Sequence, residues 1–152
     1  MIRLLRGALV AMAVVGLVAA APRGDEKFGK GVTLTEATPL KALFETPEKF
    51  VGKTIRIDGV ATAVCAEMGC WMALGESATA ENTVRLKVEH DGKIVFPISL
   101  MGQKASAEGV FVKIGADDHE AKEAAREHAR SHPTAAEFGD RYQFQVTGAS
   151  TP

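Results

Sequence analysis

The chain has 152 residues, of which 46% are hydrophobic and 24% are charged, and its formal net charge at pH 7 is −1. This length and apolar content suit one folded domain with its own core rather than a disordered chain. The near-neutral charge lacks the basic excess typical of nucleic-acid binding proteins, so we expect no nucleic-acid partner.

The first twenty residues have the features of a secretory signal peptide. Two basic residues, Arg3 and Arg6, precede an uncharged apolar run over 7–21. That run is about 15 residues long, whereas a membrane-spanning helix needs roughly 20. We therefore predict cleavage after Ala20, no stable membrane span in the mature chain, and a periplasmic or secreted protein with a net charge near −3.

The segment after the predicted cleavage site is polar before the first helix signal. Residues 21–31 contain glycine and charged side chains, which predicts a flexible arm leading into a single domain over 32–152. Thr38-Pro39 has the pattern of a helix N-cap followed by proline at the first helical position. Thr46-Pro47 repeats this pattern, so the helix between the two pairs is predicted to be short.

Alternation of apolar and polar residues begins at Lys53 and predicts a long strand that continues to Cys65. Gly59 interrupts this strand at a position typical of a bulge or a barrel bend. The segment "VGKTIRIDGV" at 51–60 is echoed fifty residues later by "MGQKASAEGV" at 101–110. The echo indicates two long strands that each bend at a glycine, as a small closed barrel requires.

The remaining predicted elements complete a mainly β domain. We predict a second strand from Cys70, a third over 83–90, a return strand over 93–96, a helix over 117–131 and a last strand over 141–149. Five or six strands with one or two helices, one of them inserted before the last strand, suggest a small OB-like barrel. A sandwich-like α+β domain is the alternative.

The two cysteines, Cys65 and Cys70, are separated by a four-residue loop between predicted strands. A hairpin closed by that loop would place them opposite each other, with β-carbons roughly 4.5 to 5.5 Å apart, near the separation that a disulfide needs. The same register pairs Ala63 with Met72, which would place Met72 beside both sulfurs. Trp71 would point to the other face of the hairpin, and Met68 is expected to be an ordinary loop residue.

Three interpretations of the cysteine pair remain open. Export favours a structural disulfide, because a cysteine pair in an oxidising compartment is more often bonded than free. Two thiolates joined by a thioether would suit copper(I) or, with histidine, zinc. A thiol-disulfide redox centre is the third interpretation, although the spacing is not Cys-x-x-Cys.

The predicted helix over 117–131 carries histidines that favour the metal hypothesis. Its alanine stripe would let the helix lie close to the sheet, and His128 is in line with that stripe. His132 follows at ligand spacing, although Pro133 biases it away from helical geometry. Favourable interaction with the helix dipole explains histidines at this end equally well. His119 and His90 are expected to be exposed.

The sequence contains no glycine-rich phosphate loop, no Gly-x-Ser-x-Gly elbow and no paired-carboxylate motif, so we expect no catalytic activity. The leading hypothesis is a non-catalytic domain that binds copper or zinc, with the ligands Cys65, Cys70 and His128, completed by Met72 or His132. The competing hypothesis is a disulfide-stapled OB-like interaction module that docks a protein of the cell envelope. A thiol-disulfide redox protein is the third.

The block "FVGKTIRIDGVATAVCAEMGCWMAL" at 50–74, followed by "VRLKV" and a final "VTGA" strand, resembles a secreted bacterial family catalogued as a domain of unknown function. The resemblance covers about 32–148 and is most specific at the Cys-x4-Cys-Trp-Met motif. It implies a small exported OB-like domain and no established activity. It marks as site residues Cys65, Cys70, Trp71, Met72 and His128.

Overall fold

The computed structural model describes residues 25–89, 91, 93–115, 117–119, 122–123, 126, 130, 136–139 and 141–152 of the chain. The predicted signal peptide and the histidines at 90, 128 and 132 lie outside these residues. Within the part described, no helix is both long enough and apolar enough to cross a membrane.

The described part of the chain contains six strands, two short α-helices and further helical positions between residues 119 and 130. The strands are Lys27–Gly29 (β1), Thr54–Val64 (β2), Trp71–Gly75 (β3), Thr83–Lys87 (β4), Lys104–Lys113 (β5) and Tyr142–Ser150 (β6). The α-helices are Leu40–Glu45 (α1) and Ala136–Gly139 (α2), and single 3-10 turns cover Pro47–Lys49 and Ile98–Leu100. The short helix expected between the two Thr-Pro pairs is therefore confirmed as α1.

Five of the strands close into a barrel. The sheet order is β1-β6-β4-β3-β2-β5, and β5 also pairs with β6, so that β2 to β6 form a closed ring. All pairs are antiparallel except β4 with β6, which is parallel. A five-stranded barrel of this kind is OB-like, and β1 adds one strand outside the ring. The predicted mainly β, OB-like fold is confirmed.

The two echoed glycines lie on neighbouring strands, and both permit close approach of the next strand. A β-carbon at Gly59 would lie 2.7 Å from the carbonyl oxygen of Gly75 on β3, and one at Gly109 would overlap the carbonyl oxygen of Gln145 on β6. Neither glycine is the extra residue of a bulge. The register shift beside Gly109 comes from Thr147 of β6, and the shift in β2 comes after Gly59, between Ala61 and Ala63.

The first strand lies in the segment for which the sequence predicted a flexible arm. Lys27–Gly29 pairs with the end of β6 instead of remaining flexible. The physical reason is Phe28, which is buried in the core and meets Phe96 edge to face, with ring centroids 5.7 Å apart. Burial of this one aromatic ring ties the segment to the barrel.

The predicted return strand over 93–96 is absent from the structure, and that prediction is wrong. The N–H of Phe96 donates to the carbonyl of Gly69, 3.0 Å away, so this segment bonds to the β2–β3 loop instead of to β4. Ile94, Phe96 and Leu100 enter the core, whereas Val95 stays exposed. The connection from β4 to β5 thus closes one end of the barrel without forming a ladder.

A helix before the last strand is visible at the described positions of 117–131. His119, Lys122, Glu123, Arg126 and Arg130 are helical, and the N–H of Lys122 donates to the carbonyl of Asp118 at 3.1 Å. His119 is exposed, as expected from the sequence. The alanine stripe and His128 fall outside the described residues, so the inward orientation of His128 stays a prediction.

Candidate dithiol site

The two cysteines meet at the end of β2, in the loop that leads into β3. The Sγ atoms of Cys65 and Cys70 are 3.5 Å apart, and the Cys70 thiol donates to the Cys65 sulfur. No disulfide joins them, and both side chains are half-buried. The loop therefore presents a pair of thiols that lie within contact distance of each other.

The register of the hairpin differs from the one predicted. Ala61 pairs with Leu74, but Ala63 pairs with Ala73 and Val64 with Met72, because β2 has an extra residue between Ala61 and Ala63. The predicted pairing of Ala63 with Met72 is wrong for this reason. The extra residue is Thr62, and a bulge of this kind leaves no trace in the alternation of apolar and polar residues.

This register carries Cys65 past the point where it would face Cys70. The N–H of Cys65 donates to the carbonyl of Trp71 at 3.0 Å, so Cys65 is opposite Trp71 on the ladder. The N–H of Val88, after β4, donates to the carbonyl of Cys70 at 3.2 Å and holds the other end of the loop. The loop, and not a directly opposed strand pair, therefore brings the thiols together.

Met72 lies in the hydrophobic core. Its partner on β2 is Val64, which is also buried, and the exposed fraction of Met72 is 0%. Cys70 packs partly against the same core. The thioether of Met72 is thus held among core side chains, and its role as a metal ligand stays a prediction.

Gly69 shapes the loop. Its φ of +59° is in the left-handed region, its N–H donates to the carbonyl of Cys65 at 3.1 Å, and its own carbonyl accepts the bond from Phe96. A β-carbon at Gly69 would lie 2.5 Å from the carbonyl oxygen of Phe96 and 2.8 Å from Cγ1 of Val95. Only glycine fits this turn, because both the backbone conformation and the surrounding space exclude a side chain.

The loop also determines the ionisation of Cys65. Burial is the largest single influence and raises the pKa of the Cys65 thiol, because it disfavours the charged form. The backbone N–H groups of Met68 and Cys70, the Cys70 thiol and the N–H of Glu67 together outweigh burial, so the pKa of Cys65 lies below its ordinary value. Backbone donors around a sulfur favour the thiolate, which is the form that binds metals and attacks disulfides.

Of the five predicted ligands, Cys65, Cys70 and Met72 are among the described residues. In this part of the chain, no three side chains of His, Cys, Asp or Glu are close enough together to hold a metal ion. His128 and His132 are outside it, so the structure leaves their place in the ligand set as a prediction. The described His119 belongs to no such group.

Sequence reasoning gave little weight to the loop residues between the cysteines. The amides of Glu67 and Met68 act on the Cys65 sulfur, and the Met68 side chain is among the most exposed large hydrophobic groups of the described chain. The available signal was the glycine immediately before the second cysteine. A glycine there predicts a tight turn, and a tight turn directs backbone N–H groups inward.

Comparison with known proteins bears on the fold alone. No protein-family model matches the chain, and no curated protein sequence matches it. The barrel resembles part of a chain from Leishmania major Friedlin that is assigned as an aspartyl-tRNA synthetase, with a TM-score of 0.45 and 16% sequence identity. The similarity covers 82% of this chain and 22% of that one, so the chain spans about a fifth of that protein's length.

Proposed function

We propose that this protein is an exported, non-catalytic OB-like domain that holds a soft metal ion, copper or zinc, between the thiolates of Cys65 and Cys70. The observation that carries the proposal is the 3.5 Å separation of the two Sγ atoms. Two thiolates that each lie about 2.3 Å from one tetrahedral ion are about 3.8 Å apart. The pair needs to move by only a few tenths of an ångström to accept such an ion.

The electrostatics of the loop favour the same function. A thiol must lose its proton before it binds a metal, so protons and metal ions compete for the sulfur. The lowered pKa of Cys65 reduces that competition near neutral pH. The amides that lower it belong to the loop itself, which supports a site that is prepared for a ligand before the ligand arrives.

The remaining ligands and the location are parts of the same proposal. His128 completes the set, with Met72 or His132 as a further ligand, and the metal ion is the partner. The resemblance of the Cys-x4-Cys-Trp-Met motif to the secreted bacterial family supports membership of that family and export through a cleaved signal peptide. Neither cysteine is fully buried, which supports access of a metal ion to the loop.

A second candidate function, thiol-disulfide exchange, is favoured by the same contact. A disulfide requires an S–S distance of about 2.05 Å, so the two sulfurs would have to approach by about 1.5 Å. The thiolate character of Cys65 would help it to attack a disulfide of another protein. Metal binding needs the smaller movement of the two sulfurs, and for this reason we propose it ahead of thiol-disulfide exchange.

Thiol titration and elemental analysis of protein purified without added reductant or chelator test the proposal. We expect one copper or zinc ion per chain, and two thiols that react once the metal is removed. Cys65→Ser and Cys70→Ser should each abolish stoichiometric binding. His128→Ala should weaken binding by at least about tenfold, whereas His119→Ala, which removes an exposed histidine of the same predicted helix, should not.

Other results would overturn the proposal in favour of a named alternative. A stable disulfide with no metal would support the stapled interaction module, whose partner is a protein of the cell envelope. A disulfide that forms and is reduced reversibly, with an oxidising potential, would support the redox protein.

A further inference from the structure

The loop that holds the thiols carries a third soft donor. Met68 lies between Cys65 and Cys70, and its side chain is 58% exposed. It lies inside the turn that the N–H of Gly69 closes onto the carbonyl of Cys65, at 3.1 Å, so the backbone of this residue belongs to the loop that holds both sulfurs. A methionine side chain has three rotatable bonds and a polarisable thioether, which allows it to reach a neighbouring ion.

Exposed apolar side chains occur in this loop and in the segment that contacts it. The described chain has five large hydrophobic residues that are exposed, and four of them come from the loop or from the segment 95–101: Met68, Val95, Ile98 and Met101. Gly69 sits against Val95, which joins the two segments. Met68 and Val95 are therefore exposed apolar side chains of two adjoining segments.

We propose that Met68, in place of Met72, is the methionine ligand beside Cys65, Cys70 and His128, which makes the site selective for copper(I) through the three sulfurs of Cys65, Cys70 and Met68. This inference rests on the metal-binding function proposed above. Thiolates and thioethers are soft ligands that select copper(I), whereas zinc sites in proteins are built from Cys, His, Asp and Glu. A thioether therefore adds affinity for copper(I) and adds little for zinc.

Met68 suits this role better than Met72. Met72 is fully buried on β3, and its thioether would have to leave the core to bind an ion at the loop. The Met68 side chain is 58% exposed and does not belong to the core cluster, so it can move over the sulfurs without exposing core side chains. The neighbouring carboxylate of Glu67 would favour zinc, but it forms no three-ligand group with the two cysteines.

Competition titrations under anaerobic conditions test the assignment. Copper(I) is titrated against bicinchoninate, and zinc against a chromogenic zinc chelator, for the full chain and for Met68→Leu. We expect Met68→Leu to lower the copper(I) affinity by at least about tenfold and to leave the zinc affinity unchanged. Met101→Leu, which changes an equally exposed methionine outside the loop, should alter neither affinity. X-ray absorption of the copper(I) form should show three sulfur ligands, and two in Met68→Leu.

Failure of this inference and failure of the proposed function give different results. If Cys65→Ser and Cys70→Ser bind copper(I) and zinc as the unchanged chain does, the proposed function is overturned. If they lose binding while Met68→Leu keeps its copper(I) affinity, only the role of Met68 is overturned. If Met68→Leu lowers the copper(I) and zinc affinities equally, the residue acts on the shape of the loop. If only Met72→Leu selectively lowers the copper(I) affinity, the thioether ligand is Met72. Either result overturns the inference.

Discussion

Two clusters of reactive side chains lie at opposite ends of β2 and use their groups in different ways. Before the strand, one carboxylate oxygen of Glu48 accepts bonds from Lys113 Nζ and from the Tyr142 hydroxyl, both at 2.7 Å. After it, the thiols of Cys65 and Cys70 contact each other at the surface of a loop. The first cluster uses its donors and acceptor to hold three parts of the chain together, whereas the second presents two neighbouring thiols.

The environment of each cluster fits that difference. The ring of Tyr142 is buried and stacks on Phe111, with centroids 5.4 Å apart, and it contacts Phe138 in a tilted arrangement at 5.2 Å. The two cysteines, by contrast, are half-buried in a loop. We infer that the Glu48 cluster contributes to stability and that the dithiol contributes to binding.

Replacement of Tyr142 by Ala should give the largest effect and tests this contrast directly. We expect a loss of about 4 kcal/mol in the free energy of unfolding, because removal of a buried aromatic side chain leaves a cavity. Cys65→Ala should cost less than about 1 kcal/mol, since it removes one half-buried sulfur. Denaturant unfolding monitored by circular dichroism measures both. Equal losses would show that the thiols support the fold as strongly as the aromatic cluster does.

Replacement of Gly69 by Ala sharpens the comparison within the dithiol end. We expect a loss of about 3 kcal/mol, from a positive φ and from the contact with the Phe96 carbonyl. Gly102→Ala is the matched control, because Gly102 has a φ of +77° but nothing within 4 Å of the place where a β-carbon would lie. That variant should lose about 1 kcal/mol. Similar losses of unfolding free energy in the two variants would mean that the loop moves to accommodate the added β-carbon at little cost.

The long strands could be predicted because their local pattern agrees with their final place. β2, β5 and β6 alternate over many residues, and burial of one face decides their register and their membership of the sheet. In the segment 93–96 exposed and buried side chains alternate as well, although three of its four residues are apolar. It forms no strand, because Phe96 bonds to the β2–β3 loop. The strand at 27–29 is the converse case, in which one buried Phe28 orders a segment with no strand pattern.

The site could be located from the cysteine spacing, but its geometry could not. The spacing indicated that the thiols would meet, and they do, although the hairpin register around Met72 is shifted by the bulge at Thr62. The donors on Cys65 are backbone N–H groups, whose direction depends on the left-handed turn at Gly69. The direction of backbone N–H groups in a loop depends on tertiary contacts, so it cannot be predicted from the pattern of side chains in the sequence.

The reactivity of Cys65 with iodoacetamide should show the effect of those amides. Because the folded loop lowers the pKa of Cys65, the rate of alkylation at this residue should rise at lower pH in the folded protein than in the denatured chain. Peptide mass spectrometry after timed alkylation separates Cys65 from Cys70. Gly69→Ala, which displaces the loop, should move the profile back toward the denatured one. Identical profiles for folded and denatured protein would exclude thiolate stabilisation by the loop.

The smallest expected effect is a change in how stability depends on acid pH, and it concerns Glu48, in the cluster before β2. Bonds from Lys113 and then Tyr142 hold the pKa of Glu48 below its ordinary value, and burial opposes them weakly. A carboxylate with a lowered pKa contributes stability that is fully present above its unfolded pKa and is lost as pH falls through the folded pKa.

Glu48→Gln should therefore be less stable than the unchanged chain at neutral pH, and the difference should shrink once the pH falls below about 4, near the unfolded pKa of a glutamate. Thermal unfolding followed between acid and neutral pH measures this convergence. Glu45→Gln controls for the loss of one negative charge, because Glu45 is an exposed residue of the neighbouring helix α1 that pairs loosely with Lys41, at 3.7 Å. If the difference in stability between Glu48→Gln and the unchanged chain is the same at every pH, the carboxylate acts by its shape and not by its charge. That result would weaken the contrast with the dithiol end.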